Sequence, residues 1–345
     1  MNILSIANFS GYNKSNTALH RHWALENLGT TDAINTNFNY SIINRIIKKL
    51  FKFGIKLPYA STKSFNDEII TKLNSKNYDV IWIDKGVAVR PSTLKMIRMK
   101  YPETVIIGYS PDEMTKRHNQ SYNFLKSLPY YDYYVTTKSY AVEGLKDLGI
   151  KNVLFANNAY EEKFHFPYQL LENDIIRLGG EVGFIGAWEE ERANSILHLA
   201  KNGIEVRVWG TGKWNEYKNL YPNLIIENNA LFSEDYSKAL NAFKINLCFL
   251  RKMNNDLQTT RTMEIPACGG FMVAERTSEH EELFQEGEEA EFFSSDDELL
   301  EKCRYYLEHN HLRSSIAKNG LERCLTSGYS NKETIQRILK ICTER

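Results

Sequence analysis

The sequence predicts an α/β protein made of two doubly wound parallel-sheet domains, on three observations. Short apolar runs alternate with helical patterns through the first half, a stretch near residues 157–180 breaks the alternation, and a second strand and helix series follows. Strands separated by helices pair in parallel through crossovers, and those crossovers cover both faces of the sheet. The length of 345 residues is about twice that of one ordinary domain, which fits two such sheets.

In the first series the runs are NILSIA, DVIWID, TVIIGY, YYVTT and NVLFA, with a helix over roughly Thr17 to Leu28 after the first. Gly29 and Gly149 each follow a helical run ending in Leu, where a left-handed residue closes a helix. These elements define a first domain over residues 1–157. Residues 158–180 carry Pro167, a closing glycine pair and no sustained period, and are expected to be a linker. The second domain, 181–330, begins with EVGFIG and a helix from Glu190 to Asn202 stopped by Gly203. EVRVWG, LIIEN, a helix from Ser233, KINLCFL and FMVAE follow. Ser295 to Glu298 has capping-box spacing ahead of an apolar helical pattern. Residues 331–345 are expected to be a C-terminal helix packing back on the first domain. Doubly wound sheets bind ligands beyond the carboxyl ends of their strands, so a cleft faced by both domains is the expected site.

Composition removes several classes of function. Lys plus Arg and Asp plus Glu both number 43, so no bulk positive field favours nucleic acid. No apolar stretch approaches the ~20 residues of a membrane helix. The amino terminus enters a strand pattern without a secretory leader, so a cytoplasmic location is expected. Cys248, Cys268, Cys303, Cys324 and Cys342 contain no C-x-x-C pair and fit neither a disulfide framework nor a zinc site. His20 with His22 and His309 with His311 lie two apart, on different helix faces, which argues against a shared metal. Gly180 to Gly186 spans a strand where a dinucleotide fingerprint must follow one. Alternation along a strand sends half of the run Tyr130 to Tyr134 into the core.

The segment Asp256 to Gly270, between KINLCFL and FMVAE, gathers charge and hydroxyls after a buried strand. A short helix starting near Gln258 would aim backbone N–H groups and the Thr259 and Thr260 hydroxyls at an anion, with Arg261 able to make a bidentate contact. Glu264, one turn on, suits the vicinal hydroxyls of a ribose. Together these groups fit a nucleoside diphosphate. Gly210-Thr211-Gly212-Lys213 lacks P-loop spacing, yet Lys213 is a further candidate for the phosphates.

Here the chain resembles the carboxy-terminal domain of GT-B glycosyltransferases, in particular the spore-maturation-protein (CgeB-like) group related to the retaining family 4. The resemblance runs from about Gly183 to Tyr329. It rests on FIGAWEEER with Arg192, VWGTGKW, TTRTMEIPACGG, the run Glu279 to Phe284 before Gly287, and RYYLEHNHLRSSIAKNGLERC. It implies two Rossmann-like domains and transfer of a sugar from a nucleotide-diphosphate donor to a hydroxyl acceptor, which is a glycan, a lipid-linked molecule or a protein. It also implies retention, in bacterial surface glycan or glycoconjugate synthesis. The family's E-x7-E pair falls on Asp256, near the transferred sugar and one methylene shorter than the family's Glu, and on Glu264, at the donor ribose. Gly11, after the first strand, matches a loop that approaches the donor phosphates, and Asp112, after TVIIGY, an acidic turn assigned to acid/base work. With no D-x-D triplet in the sequence, cationic side chains are expected to offset the leaving charge without an obligatory metal.

Other readings on the same scaffold are a nucleotide-sugar epimerase or phosphorylase, or a two-domain protein that binds a ligand without chemistry. The basic amphipathic run Arg45 to Lys56 suits peripheral contact with an anionic membrane, and equally a solvated face.

Overall fold

A computed structural model of the chain describes residues 1–11, 13–37, 42–60 and 62–344. Tyr12, within the loop after the first strand, and Arg345 lie outside the described residues. The chain divides into two units, residues 1–157 with 331–345, and residues 158–330.

The first unit holds a parallel sheet of β1 (Asn2–Ala7), β2 (Thr30–Asn35), β3 (Val80–Asp84), β4 (Val105–Ser110), β5 (Tyr133–Thr136) and β6 (Val153–Phe155), in the order β2-β1-β3-β4-β5-β6. Alternate side chains feed two apolar layers: Leu4, Ile6, Ile81 and Ile83 pack on one face, and Ile3, Val80, Trp82 and Ile107 on the other. Helix Asn331–Thr343 adds Ile335, Ile338, Leu339 and Cys342 to the second layer beside Leu25 of helix Thr17–Leu28. Tyr131 and Tyr134 are core residues, stacked edge to face.

The second unit repeats the plan with β7 (Gly180–Ile185), β8 (Val206–Trp209), β9 (Leu224–Ile226), β10 (Phe243–Cys248), β11 (Met272–Glu275) and β12 (Glu291–Phe293), in the order β12-β11-β10-β7-β8-β9. All five cysteines are free and buried. Ser295 caps helix Asp296–Glu308 by accepting the Glu298 N–H at 3.2 Å.

Two expectations need correction, and two strands lie outside the sequence reading. Gly29 is extended at φ −174, and glycine is needed there because a Cβ would lie 2.5 Å from the Met1 carbonyl oxygen; Gly149, at φ +100, is the left-handed residue expected. Residues 158–180 are no free linker: they contain helix Glu172–Leu178 and the start of β7 and belong to the second unit. Tyr160 bridges to Ser330, and the Ser237 hydroxyl donates to the Phe164 carbonyl at 2.9 Å. Edge strands β2 and β12 are absent from the sequence reading: TTDAIN is largely polar and buries one residue, and EFF, though buried, opens on Glu291 in an acidic stretch.

Candidate functional site

In each sheet the strand order reverses at one point, where the helices after two neighbouring strands leave on opposite faces and open a crevice at the strands' carboxyl ends. In the second unit that point lies between β7 and β10. The helix after β7, Glu190–Lys201, carries Arg192 in its first turn, and the helix after β10, Thr260–Ala267, carries Arg261 in its own. The two guanidinium carbons lie 5.7 and 5.8 Å from the centroid of the Phe184 ring on β7.

Arg192 is 3% exposed and donates from Nη1 to the Ala187 carbonyl at 3.1 Å and from Nε to the Leu250 carbonyl at 3.3 Å. Burial, and then the charge of Arg261, push its guanidinium down to about 10. Arg192 Nη2 and Arg261 Nε are buried and make no hydrogen bond to any described residue. Arg192 Nη1 also lies 3.7 Å from Glu189 Oε1, so the donors left over on these two neighbouring cations make a site able to take a further anion.

The Arg261 helix is held by buried polar contacts. Its N-cap, Thr259, donates its N–H to Thr262 Oγ1 at 3.0 Å, and that hydroxyl lies 2.9 Å from His280 Nε2. His280 Nδ1 sits 2.6 Å from the Glu275 carbonyl, which only accepts, so Nδ1 carries the proton and Thr262 donates to Nε2. Burial pushes His280 down to about 4, which keeps this arrangement neutral. Just before the cap, Gln258 accepts the Asn158 N–H at 2.8 Å and donates to Glu279 at 2.7 Å.

Thr259, Thr260 and Arg261 remain partly exposed, whereas Glu264 is 5% exposed. Tyr236 donates its hydroxyl to Glu264 Oε2 at 2.5 Å, and His165 Nε2 lies 3.8 Å from Oε1. His165 Nδ1 accepts the Glu161 N–H at 3.1 Å, and burial pushes the ring down to about 3. A neutral imidazole and a phenol therefore orient the carboxylate. Asp256 is buried, its N–H bonded to the Arg251 carbonyl at 3.3 Å. Lys213, after β8, places its ammonium 4.8 Å from the Trp188 ring centroid, and the Trp188 N–H meets the Thr211 carbonyl at 3.1 Å.

The first unit has its own crevice, a cavity of about 530 Å³ at the point between β1 and β3 where its strand order reverses. Asn8, Ser10, Asn16, Arg21, Lys85 and Asp112 are among its lining. Arg21 grips Asp84 with two bonds of 2.6 and 3.0 Å. Lys85 stands in the left-handed region at φ 59, costly for a residue with a side chain, and pairs with Asp112. Gly11, at φ +81, owes its identity to the backbone: a Cβ there would meet nothing within 4 Å, and its carbonyl accepts from Asn16 Nδ2 at 3.4 Å. Among the described residues no cluster suited to a metal ion occurs.

The structure thus brings Arg192, Thr259, Thr260, Arg261 and Glu264 to one end of the second sheet, with Lys213 on the neighbouring loop, and places Asp112 and Gly11 in the first unit. The sequence reading missed Phe184, Tyr236, His165, His280 and Lys85. Of these only Lys85, in the turn Asp84-Lys85-Gly86 ending an apolar run, left a local signal.

Residues 192–340 match the glycosyl transferase-like family model. The matched stretch covers most of the second unit and part of helix Asn331–Thr343 in the first.

No curated protein matches the chain. Among solved structures, HepE of Anabaena in complex with UDP-glucose aligns at 12% identity with a TM-score of 0.64, covering 99% of each chain. Sucrose-phosphate synthase from Thermosynechococcus elongatus aligns at 12% identity with a TM-score of 0.64, over 99% of this chain and 98% of the other. A glycosyltransferase from Rickettsia africae aligns at 13% identity with a TM-score of 0.62, over 99% of this chain and 97% of the other. The fold is therefore the two-domain, Rossmann-like GT-B fold, and the stretch that matches the family model contains Arg192, Lys213, Arg261 and Glu264.

Proposed function

We propose that the protein transfers a glycosyl group from a nucleoside diphosphate sugar to a hydroxyl acceptor. The observation that carries this reading is the pair Arg192 and Arg261, two cations with unused donors at the sheet's reversal point, within the stretch that matches the glycosyl transferase-like family model. When the anomeric carbon–oxygen bond breaks, its electron pair passes to the diphosphate. Both guanidinium groups and the N–H groups at the Thr260–Ala267 N-terminus offset that charge, which leaves no need for a metal. Lys213 adds a third cation, and Thr259 and Thr260 donate hydroxyls. The donor thereby stays on the second unit, with Asp256 orienting the transferred sugar.

The first unit's cavity is assigned to the acceptor, whose hydroxyl oxygen bonds to the anomeric carbon on the face the diphosphate leaves while its proton passes to the diphosphate. That outcome retains the anomeric configuration, and the Lys85 pairing supports Asp112 as a positioning residue. The acceptor class that fits this reading is a surface glycan or glycoconjugate. The test is turnover with an acceptor panel, with product stereochemistry read by proton NMR. A retained product and an Asp112→Asn variant raised in acceptor KM more than lowered in kcat are expected; an inverted product overturns retention. Conversion of the donor without acceptor would identify an epimerase, and ligand-induced stabilisation without nucleotide release would identify a binding protein.

Glu264 is assigned to the ribose hydroxyls. Glu264→Gln is expected to weaken nucleoside diphosphate binding by about 1.5–3 kcal/mol, the range for charged hydrogen bonds. The 2′,3′-dideoxy ligand, measured by calorimetry, should bind wild type and variant alike. Equal losses for both ligands would remove the ribose assignment.

A further inference from the structure

We propose that residues 42–57 dock the first unit on an anionic lipid surface, a role independent of the sugar-transfer reading. Helix Ile42–Lys52 has three faces. At about 100° per residue, Asn44, Ile47 and Phe51 share the inner face. Asn44 and Phe51 are buried, and Asn44 is tied to Ala60 by bonds of 3.0 and 2.8 Å. Ile42, Ile43, Ile46 and Leu50 form the second face, and Arg45, Lys48, Lys49 and Lys52 the third.

The second face is apolar and open: Ile42 is 76% exposed and Ile43 59%. Phe53, Ile55 and Leu57, just beyond the helix, extend the exposed apolar surface, and Lys56 adds a fifth cation. No Asp or Glu occurs between residues 42 and 60. A solvated face would mix its charges and bury its isoleucines. Here a one-signed row borders an apolar row, the arrangement of a helix lying in a bilayer interface with its cations at the headgroups. A second copy of the chain would have to cover the apolar row while setting five cations against five, which is what an anionic surface avoids. Lys48 lies near enough to Lys85 for that charge, after burial, to hold its ammonium below the ordinary value. Lys85 and Asp112 line the first unit's cavity, so docking sets that cavity beside the lipid surface.

The test is co-sedimentation of the full chain with phosphatidylcholine vesicles, with and without phosphatidylglycerol, at low and high salt. Binding is expected only to phosphatidylglycerol-containing vesicles and to weaken with salt. The Arg45→Glu/Lys49→Glu/Lys52→Glu variant, with an unchanged melting temperature, should bind on the order of a hundredfold more weakly. Ile42→Ser/Ile46→Ser/Phe53→Ser should lose binding at equal charge. Equal binding to both vesicle types, no binding at low salt, or unaffected variants would overturn docking, as would a concentration-dependent dimer abolished by the Ser substitutions. No donor or turnover enters the assay, so its outcome stands apart from that of the transferase reading.

Discussion

Arg261→Ala is expected to weaken nucleoside diphosphate binding by about 1.5–3 kcal/mol, roughly tenfold to a hundredfold, while leaving the ligand-free protein at least as stable as wild type. Binding falls because a charged donor opposite a phosphate is lost. Stability is kept because Arg261 is partly exposed and its charge works against the buried Arg192, whose guanidinium is pushed down to about 10. Arg192 is the poorer probe: it is 3% exposed and holds the Ala187 and Leu250 carbonyls, so its removal also disturbs packing. Calorimetry and thermal melts with and without nucleoside diphosphate separate these effects. Wild-type affinity in Arg261→Ala would remove the site assignment, and a large loss of ligand-free stability would make Arg261 structural.

The second unit is expected to lose stability as pH falls below 6.5. His165 and His280 are buried and pushed down from 6.5 to about 3 and about 4, in both cases first by burial. Between those values and 6.5 the unfolded chain binds protons that the folded one refuses, so stability is full above 6.5 and drains toward the folded values. Each histidine accounts for up to about 1.4 kcal/mol per pH unit in that window. Glu286, held at about 2 by hydrogen bonds from Arg276 and Lys302, follows the same sign in a lower window, from 4.5 downward. Urea denaturation between pH 7 and 5 therefore reads mainly the histidines. His280→Gln should flatten the slope by about one proton, and an unchanged slope would mean that the ring is not held neutral. Protonated His280 can no longer accept from Thr262, so donor binding should fall over the same range.

Which parts of the molecule were legible follows from how far apart in sequence the interacting groups lie. Buried parallel strands are apolar runs, so β1, β3, β4, β7 and β10 stand out in NILSIA, DVIWID, TVIIGY, EVGFIG and KINLCFL. Edge strand β2 buries one residue, and β12, though buried throughout, is a three-residue run that opens on Glu291, so neither reads as an apolar run. The 158–180 segment looks like a linker because Phe164 and His165 find their partners, Ser237 and Glu264, more than 70 residues away. Thr259, Thr260, Arg261 and Glu264 were legible as a set because one helix holds them within two turns.

The sequence alone determined the two-sheet architecture and the grouping of an arginine, two threonines and a glutamate after one buried strand, because strand and helix periodicity are local properties of the chain. Only the tertiary structure decided that Arg192 and Arg261 flank one ring, that Tyr236 and His165 orient Glu264, that His280 fixes the Thr262 hydroxyl, and that Lys85 meets Asp112. Apart from Arg192 and Phe184, which are near in sequence, those contacts join segments 18 to 99 residues apart. Their charge and proton states are set by burial, which no local pattern encodes.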